Sequence, residues 1–353
     1  MKAFVHAFSL TPGKVNAGLE LPGQFNQLQS NPIILLSDGR YFMPVAFNLS
    51  EAIYDCPFFW MNSDRSYAPV AVMNRGRFAE DAAANLLRTV FGAQNVYTDV
   101  QIKESKAKTV TDIDVLAVIG NKAVIAQVKS KRLTELARLG DETHLTNDFK
   151  LAVQEAYEQG LLSRRALFNS GCKLFSAEKE IHLSESIDDA YIVCVTLDHY
   201  PAVMHQLDVY LQKLADDPFP VAISIFDLEM LAFYLSDPFE FAYYLRQRIA
   251  LSDYYKADTE MSLLGMHLKQ KLFKHKDADF EVVESSFVQL IDANFPVLRG
   301  STPKTDAGTN YITNGKIRSF RPSSRRRSRY TSLDSPMLYF SCTISPGRVP
   351  TSQ

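Results

Sequence analysis

An acid, an amide and an amine stand in two short apolar runs of this chain, in an order suited to holding a hard cation beside a phosphate. The first run is Thr111-Asp112-Ile113-Asp114-Val115-Leu116-Ala117-Val118, and the second is Val124-Ile125-Ala126-Gln127-Val128-Lys129-Ser130-Lys131. The Asp114 carboxylate and the Gln127 amide oxygen are donors of the kind Mg²⁺ prefers. Lys129 can orient or activate a water and offset negative charge on a phosphate. Together they would equip a site for phosphodiester hydrolysis. The same residues also suit a plainer arrangement, with Asp112 and Asp114 solvated on a half-exposed hairpin and Lys129 to Arg132 an ordinary basic strand end.

Positioning these groups falls to the elements around them. Both runs are rich in Val and Ile and too short for a typical helix, and Gly120-Asn121-Lys122 between them supplies turn residues, so they read as the arms of an antiparallel hairpin. Strand alternation then puts Asp112, Asp114 and Leu116 on one face, and Gln127 with Lys129 on one face of the other arm. Upstream, Arg77 to Gly92 has helical spacing of Phe78, Ala82, Leu86, Leu87 and Val90, with Glu80 in its first turns and Gly at its end. Asn95 to Ile102 reads as a further strand. Downstream, Asn147 to Gly160 is helical, and Tyr191 to Leu197 is a continuous apolar run suited to a buried strand.

This order of helix, three strands, helix and strand resembles the core of the PD-(D/E)xK nuclease superfamily, the restriction-endonuclease-like fold, over Arg75 to Leu197. The resemblance assigns metal binding to Asp114, a contribution to the metal site to Gln127, and catalysis to Lys129. Glu80 corresponds to the first-helix acid that many members use. Gln127 stands where Glu or Asp is usual, which is similar to the Mrr-like branch of restriction enzymes and removes one ligand charge. Gln154 and Tyr157, one turn apart, resemble the Gln and Tyr that some members place beside the site; with Asp112 they are auxiliary candidates. The implied activity is Mg²⁺- or Mn²⁺-dependent cleavage of DNA by an endonuclease of restriction or defence type. The alternative is a catalytically degenerate member that binds nucleic acid or protein. A scaffold protein with incidental hairpin acids is the outsider.

Composition sets the frame. With 46% hydrophobic and 22% charged residues in 353, the chain can bury a substantial core. No apolar run approaches the ~18 residues of a membrane span, and Met1 to His6 lacks an extended signal-peptide core, so a cytoplasmic protein away from membranes is expected. Cys56, Cys172, Cys194 and Cys342 lack metal or disulfide spacing and read as reduced, mostly packed thiols. His144 reads as a loop residue. The net charge of -2 speaks against wholesale coating of nucleic acid, so local charge matters more. Lys103, Lys106 and Lys108 cluster in one loop, and Lys129, Lys131, Arg132 and Arg138 follow the hairpin. Lys131 and Arg132 are the nucleic-acid contact candidates, with Glu135, Asp141 and Glu142 nearby to offset them. DNA is the expected partner, and self-association into a homodimer is left open.

The expected organisation is a small α+β extension over 1–70, the nuclease-like core over 71–230, a helical region over 231–300 and a basic, disordered tail over 301–353. The extension suggests a hairpin across Pro32 to Phe47, a short helix from Leu49 to Tyr54, and an aromatic patch, Phe58-Phe59-Trp60, for core packing or base stacking. After Leu197 come a helix-like stretch to Leu214, a strand from Val221 to Phe226 and helices from Leu228 to Lys274. Lys316 to Arg329 holds seven basic residues. That tail suits a nucleic-acid tether or an incidental extension from a shifted reading frame, and the abrupt change of composition favours the second.

Overall fold

In the computed structural model the chain is described over residues 2–20, 26–105, 107–138, 141–200 and 203–298. Lys106, the tail from residue 301 with Cys342, and the side chains of Glu135 and Arg138 lie outside the described residues. The short helix α1 (Lys2–Ala7) leads to β1 (Ser9–Leu10), parallel to β2 (Ile33–Leu35), and β2 forms the expected hairpin with β3 (Tyr41–Phe42). Helix α2 (Phe47–Ser63) is longer than expected and takes the aromatic patch into it, with Pro57 inside. Phe59 and Trp60 stay half exposed there. Phe58 lies beneath the Arg75 guanidinium, which is 4.8 Å from the ring centroid, and Trp60 packs against the buried Phe8 at 5.3 Å, so the patch screens charged groups and also packs on a small core as expected.

Helix α3 (Ala68–Phe91) starts earlier than its apolar spacing suggests, with Pro in its first turn, and stops at Gly92, whose φ of +84° suits glycine. Its buried stripe is Ala79, Ala83, Leu87, Val90 and Phe91, and Phe78 faces outward. Alanines there let the helix lie close to the sheet. The strands that follow are β4 (Val96–Ser105), β5 (Lys108–Ile119) and β6 (Lys122–Lys129), with β5 and β6 forming the expected antiparallel hairpin around Gly120 at φ +55°.

After the turn helix α4 (Glu135–Arg138), helices α5 (Glu142–Phe149) and α6 (Glu155–Leu167) run on through one π-turn, Lys150–Gln154. His144 sits in the first turn of α5, capped by Asp141, and not in a loop. The hairpin β7 (Lys173–Ser176) and β8 (Lys179–Ile181), absent from the sequence reading, precedes β9 (Asp189–Thr196). Between β9 and β10 (Val221–Ser224) the expected helix is reduced to the four-residue α7 (Leu207–Tyr210). The strand expected over 221–226 ends at Ser224 because Ser224 and Asp227 form a capping box that starts α8 (Ile225–Tyr234).

These strands make a seven-stranded mixed sheet in the order β10-β9-β6-β5-β4-β7-β8. Strands β6, β9 and β10 are parallel; the other pairs are antiparallel. Helix α6 packs on it so closely that a Cβ added at Gly160 would sit 2.6 Å from Ile192 Cγ2. The molecule is therefore mixed α/β, with the expected order of helix, three strands, helix and strand present and the β7–β8 hairpin inserted before the last strand.

Beyond the sheet lie α9 (Pro238–Ala250), β11 (Tyr255–Lys256), α10 (Glu260–Gln270), β12 (Glu281–Val282) and α11 (Val288–Leu298). Met1–Val288 form one compact unit, so the expected extension, core and most of the helical region fold as one body. Of the second unit, beginning at Gln289, only α11 is described. Among the described cysteines all three are free, and Cys56 and Cys194 are buried. No described helix is long and apolar enough to cross a membrane.

Candidate active site

The hairpin forks where its chemistry-bearing residues begin. Pairing of β5 with β6 ends at Val115 and Ala126; beyond it, Gln127, Val128 and Lys129 pair with β9, while Asp112 and Ile113 pair with β4. Carried past its last pair, the β5–β6 register sets Asp114 against Gln127 and Asp112 against Lys129. A fork in a sheet strands backbone donors and acceptors, and side chains meet them here. Asp114 Oδ2 accepts from the Val128 N–H at 2.7 Å, and Gln127 Nε2 donates to the Asp112 carbonyl at 2.9 Å.

Simple alternation fails on β5. The apolar cluster takes Ile113 and Leu116 from β5, and Tyr97 and Val100 from β4, each pair spaced by three residues instead of two. Asp99, between the two β4 residues, has φ +48°, a left-handed conformation inside a strand. The expectation that Asp112, Asp114 and Leu116 share one face is corrected accordingly: a local irregularity resets the alternation beside Asp114.

Gln127 is 0% exposed, and its Oε1 has no hydrogen-bond partner. The carbonyl beside Nε2 fixes the amide orientation, so the orphan is the oxygen and not the NH₂ group. Lys129 Nζ donates to Gln159 Oε1 at 3.2 Å, and Gln159 Nε2 donates to Asp112 Oδ1 at 2.9 Å. Burial pushes the Asp114 carboxyl above the usual carboxylate range; Asp112 and Asp99 add to this, while the Val128 N–H and Lys129 oppose it. Burial also raises Glu80 on α3, with Asp114, Asp99 and Asp81 reinforcing the shift and Lys129 countering it. Glu80, Asp114 and Lys129 thus share one electrostatic environment.

Among the described residues, no group of three or more His, Cys, Asp or Glu side chains is placed to hold a metal ion. The oxygen donors on the hairpin are instead a carboxylate and an amide on neighbouring strands. A buried amide oxygen without a donor, one strand over from a carboxylate whose ionisation burial opposes, suits a cation: an ion reaching both would satisfy the oxygen and favour the charged carboxylate.

The other candidates lie elsewhere. Gln154 is buried and fastens the segment after α7, with Nε2 on the Gln212 carbonyl at 2.8 Å and Oε1 on the Gln212 N–H at 2.9 Å. Tyr157 donates to the Pro218 carbonyl at 2.9 Å. Both brace a loop and do not join the fork. Arg132 is 7% exposed and ion-paired with Asp55 and Asp198, so the expected phosphate contact has no accessible guanidinium. Lys131 pairs with Asp148 at 2.6 Å. Lys108 pairs with Glu104 at 2.5 Å, and Lys103 lies over the Phe175 ring, both on the β4 and β5 strand ends and not in a loop.

Sequence reasoning missed three contributors: Asp99, Gln159 and Ser163. Ser163 Oγ donates to the Asp112 carbonyl at 3.1 Å. Gln159 lay within the helix expected over Asn147 to Gly160, whereas its i, i+4 neighbour Ser163 lay beyond that expected end and joins it because α6 runs on to Leu167. Asp99 could have been found by pairing the β4 and β5 runs, which set it against Asp114. Comparison of the chain with protein-family models, with curated proteins and with solved structures finds no match.

Proposed function

We propose that this chain is a metal-dependent nuclease with a restriction-endonuclease-like core, an endonuclease of restriction or defence type that hydrolyses phosphodiester bonds of DNA. The observation that carries the reading is the orphaned oxygen of Gln127 at a sheet fork lined by Asp114 and Lys129. Asp114, Glu80 and the Gln127 oxygen would hold Mg²⁺ or Mn²⁺. Such an ion, when bound, supplies a more acidic water and positive charge beside the phosphate. Asp114 is fixed for its part by the Val128 N–H, which orients one carboxylate oxygen and leaves the other for a ligand. Lys129 brings donor protons and a positive charge to the phosphate oxygens as negative charge grows on them.

Plasmid cleavage with and without Mg²⁺ tests the reading. Lys129→Ala is expected to fold and bind DNA like the parent and to cleave about 10²-fold more slowly or worse, the typical loss on removing a preorganised electrostatic group. Equal cleavage by parent and variant would place any activity elsewhere. A second reading, a degenerate module that binds nucleic acid or protein, is favoured by the neutral amide at Gln127, which lowers the charge available to a cation. Intact plasmid under every divalent ion, together with retained binding, selects that reading.

A further inference from the structure

Helix α6 presents a polar stripe to the fork, and its central member spans two opposite charges. Gln159 Oε1 accepts from Lys129 Nζ at 3.2 Å, and Gln159 Nε2 donates to Asp112 Oδ1 at 2.9 Å. Flipping this amide would set NH₂ against an ammonium and a carbonyl against a carboxylate, so a single orientation is stable. One turn on, Ser163 Oγ holds the Asp112 carbonyl at 3.1 Å, and the same carbonyl takes the Gln127 amide at 2.9 Å. Asp112 is thereby clamped through both its backbone and its carboxylate.

The two bonds explain why a spacer is useful. They put the Lys129 ammonium and the Asp112 carboxylate one amide apart, and opposite charges that close attract each other strongly enough to pair directly. A direct ion pair would bind the ammonium to Asp112 and withdraw it from any phosphate. The amide of Gln159 stands between them, satisfies both charges, and keeps the long lysine stem in one place. We propose that Gln159 is a positioning residue that holds Lys129 apart from Asp112 and seats its ammonium for the phosphate. The proposal rests on the nuclease reading for its purpose, though the separation of the two charges can be measured without it.

Two measurements on the full chain test it. A zero-length carbodiimide joins a carboxylate to an amine when they touch, so the Lys129–Asp112 cross-link, read by mass spectrometry, reports their direct contact. The link is expected to be scarce in the parent and to rise several-fold in Gln159→Ala, with the helix content of the two proteins equal by circular dichroism. In Mg²⁺-dependent cleavage, Gln159→Ala should lower kcat by about 10-fold or more with KM little changed, the pattern for a displaced catalytic group. Adding Asp112→Asn to Gln159→Ala should recover most of kcat, because the competing carboxylate is gone; a merely structural Gln159 would show no such rescue. Equal cross-link yields in parent and variant, or a kcat that Asp112→Asn fails to recover, overturn the proposal. A parent that shows the expected cross-link pattern but cleaves nothing refutes the nuclease reading and leaves the spacer role supported.

Discussion

At the fork, Asp114 and Glu80 carry carboxyls whose pKa values are raised chiefly by burial, and that direction has a consequence for stability. A carboxyl that holds its proton more tightly folded than unfolded stabilises the fold fully below the ordinary carboxylate range. The contribution is lost as pH rises through the raised value, so at neutral pH both ionised groups burden the metal-free protein. Asp114→Asn removes one such charge, and its amide oxygen can still accept the Val128 N–H. The variant should therefore melt higher than the parent at pH 7 without metal. The gap should close toward pH 4, as followed by thermal unfolding across that range, and a gap that is flat with pH would show that Asp114 ionisation is not opposed. Gln127→Glu should do the reverse: it buries a further charge, lowering the metal-free melting temperature, but tightens Mg²⁺ binding because carboxylate replaces amide oxygen at a hard cation. Calorimetric titration of both proteins decides this. Unchanged or weaker binding in a folded variant means that Gln127 does not touch the ion.

At the scale of elements, the site depends on how close α6 comes to the sheet. Gly160 allows that approach, since any Cβ there would meet Ile192 Cγ2 at 2.6 Å, a contact that must be relieved by moving the helix or the isoleucine. Gly160→Ala raises helix propensity, yet overpacking should win and cost about 1–3 kcal/mol. Urea unfolding would read this as a lower midpoint at unchanged slope. Gln159 and Ser163 flank Gly160, so the same shift would lengthen their bonds to Asp112. A midpoint equal to the parent's would show that the packing has slack. Element identities were largely readable: the β5–β6 hairpin follows from its Val and Ile runs around Gly120, and β9 from its apolar continuity. Element ends were not. Ser224 and Asp227 turn the end of an expected strand into a helix start, and Ala79 and Ala83, weak hydrophobic signals, form the buried stripe of α3 while Phe78 is left outside.

For the whole compact unit, a buried ionic knot ties segments distant in sequence. Asp198, after β9, pairs with Arg75 of α3 at 2.6 Å and with Arg132, after β6, at 3.2 Å; Arg132 in turn reaches Asp55 of α2. Phe58 and Phe59 cover the Arg132 guanidinium, and Tyr54 donates to the Leu197 carbonyl at 3.1 Å. Arg132→Ala leaves Asp198 with Arg75 as its ion-pair partner and Asp55 partly exposed to water, so it should destabilise by about 1–3 kcal/mol. At a temperature where the variant remains folded, its affinity for DNA by fluorescence anisotropy should match the parent's. A large loss of affinity with unchanged stability would return Arg132 to the nucleic-acid surface.

Local pattern determined what local physics controls. Short runs rich in Val and Ile marked the hairpin, a glycine marked its turn, and the order of helix and strands around Asp114, Gln127 and Lys129 suggested where the chemistry would gather. Tertiary structure decided what depends on partners far along the chain. The ladder parts after Val115 and Ala126, and this frees the Val128 N–H for Asp114 and leaves the Gln127 oxygen alone. Gln154 and Tyr157 turn to a loop while Gln159, two residues further on, reaches the site, a choice made by the rotation of one helix against the sheet. Arg132 looks from its neighbours like a solvated cation, yet Asp55 and Asp198 draw it inside, because a charge is buried or exposed according to the partners that folding brings to it, and those partners are not adjacent in the sequence.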